Sequence, residues 1–292
     1  MRVLVYPLMA FNAILWPVIL FYPVLVLRLL IPIPPWQRLC QRVLVGISFA
    51  WTQCNRLILK TLSGFEVVPH LAPGVELRRD ARYLILSNHQ SGTDIFALQN
   101  LFHPKTPFLT FFLKRELLYA PIFGPIWWAL GFPFMRRFSP QYLQQHPEKK
   151  GQDLLTTKKF CERIRGKPYS IVNFVEGTRR KPGRQYRSPF RHLLPPKAGG
   201  IAIALQALEY EFDYVLDVTL TYRGNRIGFW DMLAGRVGQV QAYIRSIPIA
   251  EIPKGDYFGD DAFAEKFRTW LNGMWAEKDQ LLEATPDVRR AG

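Results

Sequence analysis

Acidic residues are missing from the first 65 positions of this 292-residue chain. Between Met1 and Phe65 the charged side chains are Arg2, Arg28, Arg38, Arg42, Arg56 and Lys60. Cysteine is also scarce. Cys40, Cys54 and Cys161 form no CxxC pair, which argues against both a disulfide-stapled secreted domain and a zinc ribbon. The five histidines are scattered without an HExxH pattern, and no GxSxG nucleophile elbow is present. Neither an internal repeat nor a low-complexity tract is found. Hydrophobic residues at 49% exclude wholesale disorder. Lys and Arg number 38 against 23 Asp and Glu, a net charge of +15 that points to an anionic partner: nucleic acid, an anionic membrane face or a phosphorylated substrate.

The apolar residues narrow that choice. Val3 to Leu27 is an uncharged run of 25 residues, and a bilayer-spanning helix needs roughly 20. It is too long for a signal peptide and lacks a small-x-small cleavage site. Pro7, Pro17 and Pro23 interrupt it, each removing a helix donor. A second apolar segment, Leu39 to Leu62, carries Arg42, Arg56 and Lys60 and has an interfacial character. Residues 1–62 are therefore expected to form two membrane-associated helices, spanning the bilayer or dipping into one leaflet. Leu117 to Met135 is broken by Pro121, Gly124, Pro125, Gly131 and Pro133, and is expected to be a buried or membrane-facing part of the following domain.

From residue 80 the pattern alternates between short apolar strands (Tyr83–Ser87, Phe108–Leu113, Phe134–Arg136, Ser170–Val175, Tyr214–Thr221, Val240–Ile247) and helices (Asp94–Leu101, Glu116–Leu130, Lys149–Arg165, Lys197–Leu208). A last helix carries Phe263, Phe267, Leu271, Met274 and Leu281, with Asp260 or Asp261 at its cap. This predicts an α/β fold, a mixed β-sheet flanked by helices, over residues 63–292. Pro32–Pro35 and Gly64–Arg79 read as linkers.

Two segments place chemistry just past the carboxyl end of a strand, where α/β sheets bind ligands. Asn88-His89-Gln90-Ser91-Gly92-Thr93-Asp94 follows the strand YLILS. His89 and Asp94 meet if the histidine sits in the turn and the aspartate in the first helical turn, and the carboxylate then fixes the imidazole tautomer. Spacing alone leans toward the plainer reading of a helix-capping Asp94 and a hydrogen-bonded loop His89. Ser91, two residues from His89, is expected to cap the helix. The second segment, Phe174-Val175-Glu176-Gly177-Thr178-Arg179-Arg180, follows the strand SIVN. Beyond it, Arg179 to Lys197 holds seven basic residues and no acidic one. No helix-turn-helix, RRM or zinc signature accompanies that loop, so nucleic acid is not expected as a partner. Anionic lipid headgroups or the phosphates of CoA fit better beside an apolar anchor, and a solvated loop is the plainer alternative.

NHQSGTD resembles the NHxxxxD motif of the glycerolipid acyltransferases, the PlsC or 1-acylglycerol-3-phosphate acyltransferase family. GFPFMRR (131–137) resembles its GxxFIxR block, FVEGTRR (174–180) its FPEGTRS block, and Lys114-Arg115-Glu116-Leu117 its KxEL element, in matching order over roughly 80–222. LLPPKAGG (193–200) and LDVTLTY resemble the subgroup of YihG-like bacterial proteins and lysocardiolipin acyltransferases. Val175 stands for the usual proline, Arg136 for a frequent Asp and Gly92 for a frequent aromatic, and Leu216–Thr221 lacks the proline of the fourth block.

The resemblance implies an enzyme that moves a fatty acyl group from acyl-CoA to the free hydroxyl of 1-acylglycerol-3-phosphate. His89 would be the general base and Asp94 its orienting partner. Lys114, Arg137 and Arg179 would hold the acceptor phosphate, and Glu176 would position arginines or an acceptor hydroxyl. Backbone N–H groups at Gly177 and Thr178 would face phosphate or the developing oxyanion. No metal and no cofactor besides the acyl-CoA substrate is implied. Other lysophospholipid acceptors (lysophosphatidylglycerol, lysocardiolipin) or a non-catalytic lipid-binding protein on the same scaffold are the alternatives. Arg2 alone precedes the apolar run, whereas five basic residues follow it by Lys60. This bias places the domain on the cytoplasmic face of a bacterial inner membrane.

Overall fold

The strand Arg82–Ser87 (β2) is apolar on both faces, as a strand covered on two sides must be, and it lies near the middle of a six-stranded mixed sheet. The computed structural model describes residues 2–136, 142, 145–146, 152–180, 186–224 and 226–285. With Glu66–Leu71 as β1, Leu109–Phe111 as β3, Leu113–Lys114 as β4, Phe134–Met135 as β5, Tyr169–Phe174 as β6, Tyr214–Tyr222 as β7 and Gln239–Ile247 as β8, the sheet order is β1-β8-β7-β2-β6-β3. Strands β3, β6, β2 and β7 are parallel, β8 runs antiparallel to β7, and β1 is parallel to β8. The carboxyl ends of β2, β6 and β7 therefore lie along one edge, which sets where the loops after them meet.

Side-chain alternation divides the core between the two faces. Ile85, Leu216, Val218, Leu220, Val240 and Ala242 pack on one side with helix Thr93–Phe102. Leu84, Leu86, Ile171 and Val215 pack on the other with helix Ala198–Ala207 and the long helix Asp261–Ala284. The Asp260 carboxylate caps that last helix, accepting from the N–H groups of Ala262 and Phe263 at 2.9 and 3.1 Å.

The N-terminal apolar run forms one helix, Val5–Leu30, in which Pro17 lies within a π-helical stretch, Trp16–Phe21. A second helix, Pro34–Ile58, follows, and its π-helical extension ends at Gly64, whose φ of 71° is a left-handed termination suited to glycine. Asn12 Nδ2 donates to Asn55 Oδ1 at 2.7 Å, and Trp16 Nε1 donates to Asn12 Oδ1, tying the two helices within an apolar surround. The first helix also lies against the α/β domain near both of its ends. Val5 and Met9 enter the sheet core, Phe21 and Leu25 pack with Ile126 and Ala129, and the Tyr22 hydroxyl donates to the Ile122 carbonyl at 2.7 Å.

Three sequence expectations are corrected, and one element is added. Gly64–Arg79 is not only a linker, because β1 lies inside it as the sheet's edge; Pro69 and a half-exposed surface disguise a strand that an edge position tolerates. The expected strand Phe108–Leu113 is split, Leu109–Phe111 joining the main sheet and Leu113–Lys114 pairing with Phe134–Met135. The expected helix Glu116–Leu130 is a 3-10 turn, Arg115–Tyr119, and a helix, Phe123–Leu130, separated at Pro121. A short helix, Phe229–Leu233, was not anticipated.

Candidate active site

His89 leaves β2 in a loop, and Asp94 stands in the first turn of helix Thr93–Phe102, so the five-residue spacing closes on itself. His89 Nδ1 lies 2.8 Å from Asp94 Oδ2. The same oxygen accepts the N–H groups of Gln90 at 2.6 Å and Ser91 at 2.9 Å, so the carboxylate holds both the turn that precedes the helix and the imidazole. The plainer reading of Asp94 as the helix cap is corrected: the helix starts after Gly92 without a side-chain cap, and the carboxylate serves the turn and the imidazole instead. Asp94 is fully buried, while the His89 side chain is 14% exposed. With Nδ1 committed, Nε2 is the ring nitrogen left to meet a ligand. The imidazole stacks on Phe174, with centroids 3.9 Å apart and planes 14° apart. The strand β6 thereby fixes the ring's plane.

The other Asp94 oxygen, Oδ1, accepts from the Tyr222 hydroxyl at 2.5 Å. Tyr222 ends β7 and is buried. Loss of solvation, then the Asp94 charge, pushes its phenol well above 10, so it stays a donor. Asn88 locks the start of the loop to β7 from the other side. Its Nδ2 donates to the Leu220 carbonyl at 3.0 Å and its Oδ1 accepts the Leu220 N–H at 2.9 Å.

Ser91 is turned away from the imidazole. Its hydroxyl donates to the Ile227 carbonyl at 2.5 Å and accepts the Thr93 N–H at 3.2 Å, bracing the turn; the cap position expected for it is taken by Gly92. No serine nucleophile is presented to His89 by this loop.

Glu176, just past β6, is buried, and its two oxygens accept the N–H groups of His89 at 3.0 Å and Leu194 at 3.3 Å. Burial pushes its carboxyl up to about 8, against the two N–H donors that favour the charged form. This differs from the expectation that Glu176 positions arginines or an acceptor hydroxyl: it joins the His89 loop to the segment around Leu194. The Gly177 N–H is also spoken for, donating to the Phe174 carbonyl at 2.8 Å in a turn whose φ of 67° favours glycine. Thr178 is exposed in the same turn, and its N–H has no partner among the described residues. Arg179 is exposed and reaches the His89 loop, its Nη1 3.5 Å from where a Cβ on Gly92 would stand.

Lys114 stands exposed on β4 in the small two-stranded sheet, beside Met135 in register and outside this hydrogen-bonded cluster. Arg137 lies outside the described residues, as do Lys181 and Arg184 of the basic loop.

Sequence reasoning missed Asn88 and Tyr222 as parts of the cluster. It also missed what holds β7 and the Leu194 segment from the last helix. Trp275 Nε1 donates to the Leu194 carbonyl at 2.9 Å, and the buried Lys278 pairs with Asp217 Oδ1 at 2.6 Å and donates to the Val218 carbonyl. Burial lowers the Lys278 ammonium, and the Asp217 charge opposes that shift. Strand parity was the available signal for Tyr222, since it shares a face with Leu216, Val218 and Leu220.

A family model described as Acyltransferase matches residues 66–223, more than half of the chain, and takes in His89, Asp94, Glu176 and Tyr222. The chain belongs to the acyltransferase family. Similar curated relatives include the 1-acyl-sn-glycerol-3-phosphate acyltransferase delta of Mus musculus, 28% identical over 183 residues, covering 58% of this chain and 43% of the mouse protein. The human delta protein matches to the same extent. An uncharacterized acyltransferase of Saccharomyces cerevisiae is 28% identical over 247 residues, covering 69% of this chain and 58% of that one. The chain thus spans less than half the length of the mammalian relatives it matches. In fold, the acyltransferase is similar to the crystal structure of the 1-acyl-sn-glycerophosphate (LPA) acyltransferase PlsC from Thermotoga maritima. The TM-score is 0.56 at 17% identity, over 98% of this chain and 99% of that one.

Proposed function

We propose that this acyltransferase moves a fatty acyl group from acyl-CoA to the free hydroxyl of 1-acylglycerol-3-phosphate, giving phosphatidic acid, with His89 as general base. The observation that carries the reading is the 2.8 Å contact between His89 Nδ1 and a buried Asp94 already held by backbone and phenol donors, with Ser91 turned away. A fixed imidazole without a protein nucleophile suits direct attack by a substrate hydroxyl on a carbonyl that is already activated as a thioester.

In this reading His89 Nε2 takes the hydroxyl proton as the acceptor oxygen bonds to the thioester carbon. Asp94 offsets the charge that the ring gains. The tetrahedral intermediate collapses with cleavage of the carbon–sulfur bond, and the imidazolium returns its proton to the departing CoA thiolate. The Thr178 N–H is the backbone donor suited to the developing oxyanion. Arg179 is the cation suited to the acceptor phosphate, with Arg137 and Lys114 as further candidates on sequence grounds. The printed names of the mammalian relatives favour the phosphate-bearing acceptor; lysophosphatidylglycerol or lysocardiolipin is the second choice among acceptors.

The helix Val5–Leu30 supports membrane association, being 26 residues long, with a mean hydropathy of 2.2 over its most apolar stretch and with large exposed apolar side chains such as Phe11, Ile19 and Leu30. Exposed Tyr119, Trp128 and Trp230 on the α/β domain suit the same headgroup level. Because this helix is bound laterally to the domain at both of its ends, the reading favours one leaflet, on the cytoplasmic face where acyl-CoA is found.

The test uses the full chain in detergent micelles with acyl-CoA and a panel of lysophospholipids. His89→Ala is expected to retain the wild-type fold and lose about 10²–10⁴-fold in kcat, the worth of a general base. Ser91→Ala is expected to keep most activity. A folded His89→Ala at near wild-type rate, or an acyl group trapped on Ser91, overturns the direct-attack mechanism.

A further inference from the structure

Most cations around the sheet's carboxyl edge are already committed. Arg191 is held by Glu283, Arg245 by Asp217 and Glu277, and the buried Lys278 by Asp217. Arg180 Nη1 donates to the Arg191 carbonyl at 2.7 Å. Two cations differ. Arg179 and Lys197 are exposed, and neither has an ion-pair partner among the described residues. The nearest acid in sequence, Glu176, is buried and turned to two backbone N–H groups.

Each of these free cations lies over a glycine, one in the His89 loop and one in the turn that carries Glu176. Arg179 Nη1 comes to 3.5 Å of the Cβ position of Gly92, in the loop that carries His89. Lys197 lies across Gly177, with Cδ 3.0 Å and Nζ 3.3 Å from that residue's Cβ position. Its backbone is fixed as well, because the Lys197 N–H donates to the Val175 carbonyl at 2.8 Å. A side chain on Gly177 would push the ammonium away, and the positive φ there already favours glycine. The chain thus brings a planar guanidinium and a point ammonium to the two loops beside the imidazole, with no acidic side chain to neutralise them.

We propose that Lys197, which nothing above assigns to the reaction, completes with Arg179 a two-cation cradle. Its ligand is a phosphate monoester on the acceptor, and it makes Lys197 a determinant of acceptor specificity. The inference rests on the function proposed above and sharpens its choice of substrate. A phosphate monoester carries about −1.5 to −2 charges at pH 7, whereas the phosphodiester of a lysophosphatidylglycerol carries one. Arg179 alone satisfies a single negative charge through a forked contact. A second cation adds most where a second charge is present to meet it. The cradle therefore selects between acceptors that share the same attacking hydroxyl and the same acyl chain.

The experiment compares wild type, Lys197→Met and Lys197→Arg, each as the full chain in one detergent, with a common acyl-CoA. The two acceptors are 1-acylglycerol-3-phosphate and lysophosphatidylglycerol. Lys197→Met is expected to lower kcat/KM for the monoester by about tenfold or more, the size of one charge-assisted hydrogen bond, and mainly through KM. Its loss on the diester should be several times smaller and the KM for acyl-CoA unmoved. Lys197→Arg should recover most of the monoester activity. Because the side chain is exposed, the melting temperature of Lys197→Met should stay near that of wild type. Equal losses on both acceptors, or a rise in the acyl-CoA KM of the same size, overturn the cradle while leaving the proposed function in place. A wild-type protein that acylates neither lysolipid overturns the function itself.

Discussion

Replacing Tyr222 by phenylalanine removes one hydroxyl from the interior and leaves the ring that packs in the core. That hydroxyl is the partner of Asp94 Oδ1, at 2.5 Å, in a site where the carboxylate is fully buried and Tyr222 is 2% exposed. Water has no ready route to replace it, so the substitution strands one oxygen of a buried carboxylate. An acceptor stranded in this way costs about 1–3 kcal/mol. In a chain of this size each kcal/mol lowers the melting temperature by about 2–4 °C, so a drop of about 2–12 °C is expected.

Catalysis should suffer through the same atom. Oδ2 is fixed by His89 Nδ1, Gln90 N–H and Ser91 N–H, and Oδ1 by the phenol, so losing the phenol frees the carboxylate to turn and carry the imidazole with it. A fall in kcat of about 10²-fold, the lower end of a general-base contribution, is expected at saturating acceptor and acyl-CoA. The assay is release of the CoA thiol, read with a thiol reagent, beside a thermal melt of the same preparation. In an Asp94→Ala background the same Tyr222→Phe change should cost little more, because the two act as one unit. An unchanged melting temperature together with an unchanged kcat, or full additivity in the double variant, would falsify the claim that the phenol holds Asp94.

Two further outcomes follow from the same structure. Glu176 titrates in the folded chain at about 8, above the ordinary 4.5, so between those values the native state keeps a proton that the unfolded chain has lost. Stability should therefore decline as pH rises from about 4.5 to 8, and Glu176→Gln should flatten that decline in melts taken at pH 5.5 and 8.5; parallel curves for the two proteins would remove the buried titration. The helix Val5–Leu30 is about 39 Å long at 1.5 Å per residue, enough to cross a bilayer. If it lies in one leaflet, Val3→Cys and Ile33→Cys, each in a background without the native cysteines, should label from the same side of sealed vesicles with an impermeant maleimide; labelling from opposite sides would establish a span.

The sequence alone determined what depends on local order. The α/β alternation, most strand positions, the Asp260 cap and the apolar N-terminal helices are written in periodicities of two and of three to four residues and in long uncharged runs. The same holds for the segments that carry His89, Asp94 and Glu176, because a short strand followed by a polar turn is a local signal. Edge strand β1 escaped because an edge carries neither a full apolar pattern nor a ban on proline. Only the tertiary structure decided which partners those residues have. Asp94 meets Tyr222 across 128 positions, Asn88 meets Leu220 across 132, and Glu176 meets the His89 N–H across 87. Each of these bonds exists because β2, β6 and β7 are parallel neighbours with their carboxyl ends at one edge. Strand order of that kind is set by how apolar faces are buried over the whole sheet, a sum that no short window of sequence contains. Burial decided the rest, turning Glu176 inward to the backbone and leaving Arg179 and Lys197 at the surface, although all three sit in one charged stretch of the chain.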